Sequence, residues 1–340
     1  MIPRDRVIRT LNHQSIDRAP RDLWLLPGME ADRPDDVAEI IARFPSDVLH
    51  LPAKWPAGKR SKGHSQEAGS HTDAWGCTWQ LGDYDIEGGL IESPLADASK
   101  VATYEPPAEL LDPARFAKIN PICEGTGRFT LADSEMRPMD RLRQLRGSET
   151  AVNELCDGNQ DLGTLLARLH GFFRREVELW AGTQVDGVVL GDDLSWVEAS
   201  HAHLKLWRSL FKPLFREYCA VLHQHDKFVF FLSGGTSYET LGDLVEIGVD
   251  AVHAQWPHKE FEEHAARHRG RVTFWGGLER RKVEPPSQCG DIREAVLRVR
   301  KALDFGAGGV ISQISWGSHI PLQNIVTFFE QWLVPLSVSI

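Results

Sequence analysis

Several residue types that carry chemistry fall at the ends of short apolar runs. Asp192 and Asp193 close the run Gly187–Gly191, His253 and Gln255 sit at the end of Asp250–Ala254, and His319 lies three residues past Trp316. Ser233 follows Lys227–Leu232, and His50 lies near the end of Asp47–Leu51. Indoles occur beside them: Trp196, Trp256, Trp275 and Trp316 at or just past such ends, Trp24 inside the first run and Trp75 in a longer connection. An indole offers a flat, polarisable wall with one donor. A carboxyl group beside such a wall either gains a raised pKa and acts as an acid, or stays charged and stabilises a cation. Asp192, Asp193 and His319 are therefore the expected catalytic groups. Trp24, His50, Trp75, Trp196, Ser233, His253, Gln255, Trp256, Trp275 and Trp316 are the expected walls of a site for a small planar acid. Adjacent aspartates point opposite ways on a strand, so only one of the pair faces the site, and the sequence leaves open which. The alternatives are a capping role for Asp193, a hydrogen-bonded structural role for His319, either strand face for His253, and indoles that only plug the core. The stretch Ser233-Gly234-Gly235-Thr236 reads equally as an anion cradle at a helix start and as a tight turn.

Eight runs are short, apolar and mostly non-alternating, as in strands buried on both faces. They are Asp22–Leu26, Asp47–Leu51, Arg128–Ala132, Gly187–Gly191, Lys227–Leu232, Asp250–Ala254, Arg271–Trp275 and Gly309–Ile314. Amphipathic segments lie between most of them, and a last one covers about Leu322–Leu333. This alternation predicts an α/β fold, a single (β/α)8 TIM-type barrel spanning 1–340, with chemistry at the C-terminal strand ends. About seventy residues between the second and third runs, 53–127, break the pattern. They carry a hairpin-like piece around Trp75–Ile91 and read as an insertion, a lid over the barrel mouth.

The chain has 340 residues, 42% hydrophobic and 25% charged, with a net charge of −10. Disordered and fibrous classes are out on composition. The negative balance argues against nucleic acid or an anionic membrane surface as partner. No apolar run reaches the roughly 18 residues of a membrane span, and no secretory leader is expected. Five cysteines without a CxxC pair suggest a reduced, cytoplasmic protein. Glycine-rich dinucleotide and P-loop motifs do not occur, nor does a G-x-S-x-G elbow. No metal and no cofactor are expected.

Taken in order, several motifs resemble the uroporphyrinogen decarboxylase superfamily, which also holds corrinoid-linked methyltransferases. They are Arg6-Val7-Ile8-Arg9-Thr10-Leu11-Asn12-His13 with Asp17-Arg18-Ala19-Pro20, then His71-Thr72-Asp73-Ala74-Trp75-Gly76 and Pro94-Leu95-Ala96-Asp97. Gly191-Asp192-Asp193-Leu194, Glu246-Ile247-Gly248-Val249-Asp250 and Thr273-Phe274-Trp275-Gly276-Gly277 continue the series. The resemblance covers nearly the whole chain and implies the same barrel. It also implies a homodimer. The chain departs from the family at two deciding places. The decarboxylases' arginine-rich stretch after the first strand is replaced by Leu25-Leu26-Pro27-Gly28-Met29-Glu30, which gives a polyanionic tetrapyrrole little to bind. The methyltransferases' zinc-binding His-x-Cys is replaced by Leu232 and Gly234, which offer no ligand atoms. Three functions follow. The first is a metal-free decarboxylase, a carbon–carbon lyase for a small aromatic or heteroaromatic acid. The second is a methyltransferase or O-demethylase working with a corrinoid protein. The third is a binding protein that has lost catalysis.

Overall fold

In a computed structural model, residues 1–52, 55–63, 69–81, 89–234, 238–253, 261–276, 278, 282–304 and 306–336 are described. Helix α1 (Pro3–Leu11) precedes strand β1 (Arg21–Leu25), a short α2 (Met29–Asp32), α3 (Pro34–Arg43) and β2 (Val48–Pro52). The long connection holds β3 (Gly69–Thr72), β4 (Thr78–Leu81), β5 (Gly89–Glu92), three 3₁₀ turns and α4 (Ile119–Glu124). Then come β6 (Phe129–Asp133), α5 (Pro138–Arg146), α6 (Ser148–Cys156), α7 (Gln160–Ala181) and β7 (Gly187–Asp192). Helices α8 (His201–Leu206) and α9 (Lys212–His223) lead to β8 (Phe228–Ser233), α10 (Tyr238–Glu246), β9 (Ala251–His253) and α11 (Phe261–His268). The chain ends with β10 (Thr273–Trp275), α12 (Cys289–Leu303), β11 (Val310–Trp316) and α13 (Leu322–Leu333).

Eight strands pair in parallel in the order β1-β11-β10-β9-β8-β7-β6-β2, a nearly closed TIM barrel with flanking helices. All eight expected strands form within about two residues of their expected limits. Prolines at the first helical positions start α1, α3 and α5, where a missing N–H costs nothing. Asn159 starts α7 by accepting from the Leu162 N–H at 3.0 Å.

Strand alternation sorts side chains into two cores. Val48, Phe129, Leu131, Val189, Phe230, Ala251, Trp275 and Ile311 fill the barrel interior, and Val7 and Leu11 of α1 join them from the strands' N-terminal end. The complementary positions, such as Val188, Leu190, Phe231, Val252 and Phe274, face the helix layer. A buried ion cluster locks that N-terminal end. The Arg6 guanidinium donates to Asp47 at 2.6 Å and to Asp17 at 2.6 Å, and Arg18 donates to Asp47 at 2.7 Å.

The 53–127 segment holds a three-stranded antiparallel sheet, β3-β4-β5. Asp73 fixes the β3–β4 turn by accepting from the Trp75 and Cys77 N–H groups and the Trp79 indole, and Gly76 supplies the left-handed φ of 88° the turn needs. Its described contacts run to the flanking helices: Trp75 packs on Phe172 and Phe173 of α7, and Arg115 pairs with Glu176. Residues 53, 54, 64–68 and 82–88 lie outside the described set. Among the described residues, no helix is long and apolar enough to cross a membrane.

Candidate active site

The inward-facing residues of β1 are Asp22 and Trp24; β2 brings in His50, β6 Asp133, β9 His253, β10 Trp275 and β11 Gln313. These polar groups stand above the apolar interior layer. His50 is the centre. Its Nε2 lies 2.9 Å from Asp22 Oδ1, and its Nδ1 lies 2.8 Å from Asp133 Oδ1. Asp22 is fully buried and receives two more bonds on Oδ2, from Trp24 Nε1 at 2.9 Å and Trp275 Nε1 at 2.7 Å. Trp24 Nε1 is also 3.1 Å from His50 Nε2. With a proton on each, that distance is a close approach of two donors that share the Asp22 carboxylate, not a bond.

The charges follow from these contacts. Burial alone would push the Asp22 carboxyl up, but the positive charge of His50 and the three N–H donors outweigh it and hold the group below the usual carboxylate range. Burial alone would lower His50. The Asp22 charge and the hydrogen bonds to both acids raise it to about 10, so the imidazole is a cation at neutral pH. Asp133, the outer end of the chain, is 42% exposed. Behind this unit, His253 stacks on Trp24 with ring centroids 5.0 Å apart, and its Nε2 lies 3.1 Å from Gln313 Oε1. Burial pulls His253 down to about 4 and keeps it neutral. Gly276 makes room here: with φ at 92°, a Cβ on it would sit 3.0 Å from Gln313 Oε1 and 3.4 Å from the His253 ring.

Trp24, His50, Asp133 and Trp275 line a cavity of about 870 Å³, together with Glu30, Ser134, Arg137, Val189 and Leu232. The arrangement is an acid–imidazolium–acid chain that runs from a buried, ionised carboxylate to an accessible one. Such a chain can deliver or accept a proton at Asp133 while Asp22 keeps the imidazole oriented through Nε2. Arg137 adds a cation on the same cavity wall, 3.9 Å from the Asp140 carboxylate.

The structure brings together Trp24, His50, His253 and Trp275 from the sequence-derived set, and it separates the others that lie among the described residues. Asp192 continues the outward face of β7 with Val188 and Leu190. It is buried, and its two oxygens accept from the Met139 and Asp140 N–H groups at 2.9 and 2.8 Å, which starts α5. Burial and the nearby Asp140 charge push its carboxyl well up. Asp193 accepts from Ser195 N at 2.9 Å and pairs with Arg143 at 3.0 Å. Neither lines the cavity, so their expected position at the reacting centre is corrected to the barrel's outer layer. His319 is exposed and pairs with Glu284 at 3.0 Å, outside the cavity. Trp316 is buried and donates to the Ile320 carbonyl at 2.9 Å. Trp196 packs on Phe211 and His203, and Trp75 on α7. Among the described residues, the converging wall of indoles is thus reduced to two, Trp24 and Trp275. Ser233 stands opposite Asp192 in the β7–β8 register and does not line the cavity. Gln255, Trp256, Gly235 and Thr236 lie outside the described residues.

Asp22, Asp133, Arg137 and Gln313 were missed. The signal for Asp22 was present: an acid inside an apolar run, two residues before a tryptophan on the same face, is too costly to bury without a partner. Among the described residues, no group of three or more His, Cys, Asp or Glu side chains is arranged to hold a metal ion.

Fold and cavity together define a TIM barrel with an acid–imidazolium–acid unit in its interior. No known family model matches the chain, and no curated protein matches it in sequence. Solved structures do. A methyltransferase from Methanosarcina mazei superposes with a TM-score of 0.70 at 12% identity, covering 98% of each chain. A β-N-acetylhexosaminidase (TM-score 0.46, 10% identity, 93% of this chain and 70% of that one) and a D-psicose 3-epimerase (0.43, 10%, 91% and 90%) are more distant. At these identities the likeness is one of fold.

Proposed function

We propose that the chain is an enzyme of the uroporphyrinogen decarboxylase superfamily, a lyase that removes CO2 from a small planar acid by proton transfer. The observation that carries this reading is the Asp22–His50–Asp133 chain, which ends on an accessible carboxylate inside the cavity. Arg137 pairs with the substrate carboxylate. His50 passes its Nδ1 proton to Asp133, and Asp133 gives it to the ring carbon that bears the carboxylate. The C–C bond to the carboxylate then breaks, its electron pair restores the ring, and CO2 leaves. Solvent returns the proton to the His50–Asp133 pair. Asp22 stays ionised throughout, holds the Nε2 proton of His50 and so keeps Nδ1 aimed at Asp133.

The test is a panel of hydroxylated and heteroaromatic monocarboxylic acids incubated in D2O, read by mass spectrometry. One deuterium should appear at the carbon that lost CO2. Asp133→Asn should slow this by about 100-fold or more, the usual scale for an acid–base group. An unchanged rate would remove Asp133 from the mechanism.

A second reading is methyl transfer to a corrinoid protein, and the full-length superposition on the Methanosarcina methyltransferase favours it. In that case Asp133 would protonate the leaving oxygen of a methoxy-aromatic substrate. Loss of a methyl group with no CO2 released would select this reading. Leu232, which lines the cavity where the methyltransferases of the resemblance carry a ligand, counts against a zinc-dependent version.

A further inference from the structure

We propose that the substrate carries an aliphatic arm and that this arm leaves the barrel sideways, through the gap between β1 and β2. The inference rests on reading the cavity as a substrate site, and it adds the substrate's shape. The hydrogen-bonded strand order begins at β1 and ends at β2. Among the described residues, the backbone of the two strands meets only at the base, where Asp47 N donates to Arg21 O at 2.9 Å. Higher up the strands are joined by side chains, through the contact between His50 and Asp22.

The cavity passes through this opening. On β1 it touches both Trp24, which faces inward, and Leu23 and Leu25, which face outward. On β2 it touches inward His50 and outward Leu49. Successive side chains of a strand point to opposite faces, so one cavity can reach both only around a free strand edge. Ile41 and Phe44, at the end of α3, form its outer wall. Glu30, Asp133, Arg137 and His50 make the mouth polar, whereas the slot between the strands is walled by Leu23, Leu25, Leu49, Ile41 and Phe44, with Ser46 and Arg128 at its base. The volume of about 870 Å³ lies near the top of the small-molecule range and leaves much of the space unfilled by a single-ring acid. An acidic head at the mouth with an apolar tail in the slot matches both the charge and the length of the cavity. A tail that emerges beside Ile41, which is 48% exposed, also has no fixed limit on its length.

The test is calorimetric titration of the full chain with 4-alkylbenzoates from methyl to octyl, and with the saturated fatty acids from six to fourteen carbons. The expected result in at least one series is a Kd that falls about three- to fourfold for each added methylene until the slot is filled. Ile41→Trp and Leu49→Trp, which occupy the slot from outside and from the strand, should flatten that dependence. Ile122→Trp, at an exposed position away from the cavity, should keep it. No binding in either series, affinity independent of chain length, or a dependence that survives both tryptophan substitutions would overturn the proposal. Repeating the titration with Asp133→Asn separates the two readings. A dependence that persists in a protein whose chemistry proves to be something other than decarboxylation leaves the arm standing. Deuterated product formed from short acids, with no gain from length, leaves the lyase reading standing and removes the arm.

Discussion

His50 and His253 lie on the same interior wall, and their surroundings drive them in opposite directions. For His50, the Asp22 charge and the bonds to two acids overcome burial and raise it to about 10. His253 has the amide oxygen of Gln313 and the more distant Asp22 charge, and burial outweighs both and takes it down to about 4. An unfolded histidine titrates near 6.5, so each shift has a signed consequence for stability. His50 holds its proton more tightly when folded. Its contribution is complete below about pH 6.5, fades as pH rises and is gone above about 10. His253 holds its proton less tightly when folded. It costs nothing above about 6.5 and destabilises increasingly as pH falls towards 4. Thermal melts should therefore show two separate gaps between variants and the parent chain. Against His50→Gln, the parent's advantage should shrink between pH 7 and pH 10. Against His253→Gln, the parent should lose ground between pH 7 and pH 4. Parallel curves for either pair would mean that the histidine concerned does not titrate as its contacts require.

At the scale of elements, the alternation along β7 decides what the Asp192-Asp193 pair does. Gly187, Val189 and Gly191 face the interior, so Asp192 faces the helices, where it joins the end of β7 to the start of α5. An asparagine there sets one donor against a backbone N–H and leaves that buried group without an acceptor. Asp192→Asn should lower stability by about 1–3 kcal/mol, the cost of an unsatisfied buried donor, and should change turnover by less than tenfold. Urea denaturation alongside the D2O assay measures both, and a loss of activity without a loss of stability would return Asp192 to the reacting centre. The same alternation explains how much was legible. Short apolar runs bounded by turns give all eight strands, because burial on both faces leaves little room for polar residues. Trp24, His50 and Trp275 were legible as site residues because they interrupt or end those runs. Asp192 was misplaced because the sequence does not set the register of a strand against the barrel axis, and one residue reverses the face. Asp22 carries no strand-end signal, because it lies at the second position of its strand and meets the cavity through His50, Trp24 and Trp275. The gap between β1 and β2 had no signal at all in the sequence, since pairing of strand edges depends on the whole ring.

For the whole molecule, a barrel with one incomplete seam needs another means of holding β1 to β2. The structure supplies one at each level. His50 ties to Asp22 within the site, and at the base Asp47 accepts from Arg6, Arg18 and the Arg21 N–H. Asp47 is 1% exposed, and its four described donors come from α1, the loop after it and the start of β1. It therefore joins the plug helix, the first strand and the second strand, where backbone pairing provides only one bond. Removing one partner of a buried ion pair is costly because the other charge stays buried, and Arg6 here keeps the more exposed Asp17 and the Met1 carbonyl. Asp47→Ala should lower the stability of the folded chain by about 3–5 kcal/mol, read as a fall in the urea midpoint. Asp17→Ala should cost much less, because Asp17 is 42% exposed and water replaces it. Equal losses in the two variants would show that the base is held by the apolar contacts of Val7 and Leu11, and that the ion cluster merely decorates it.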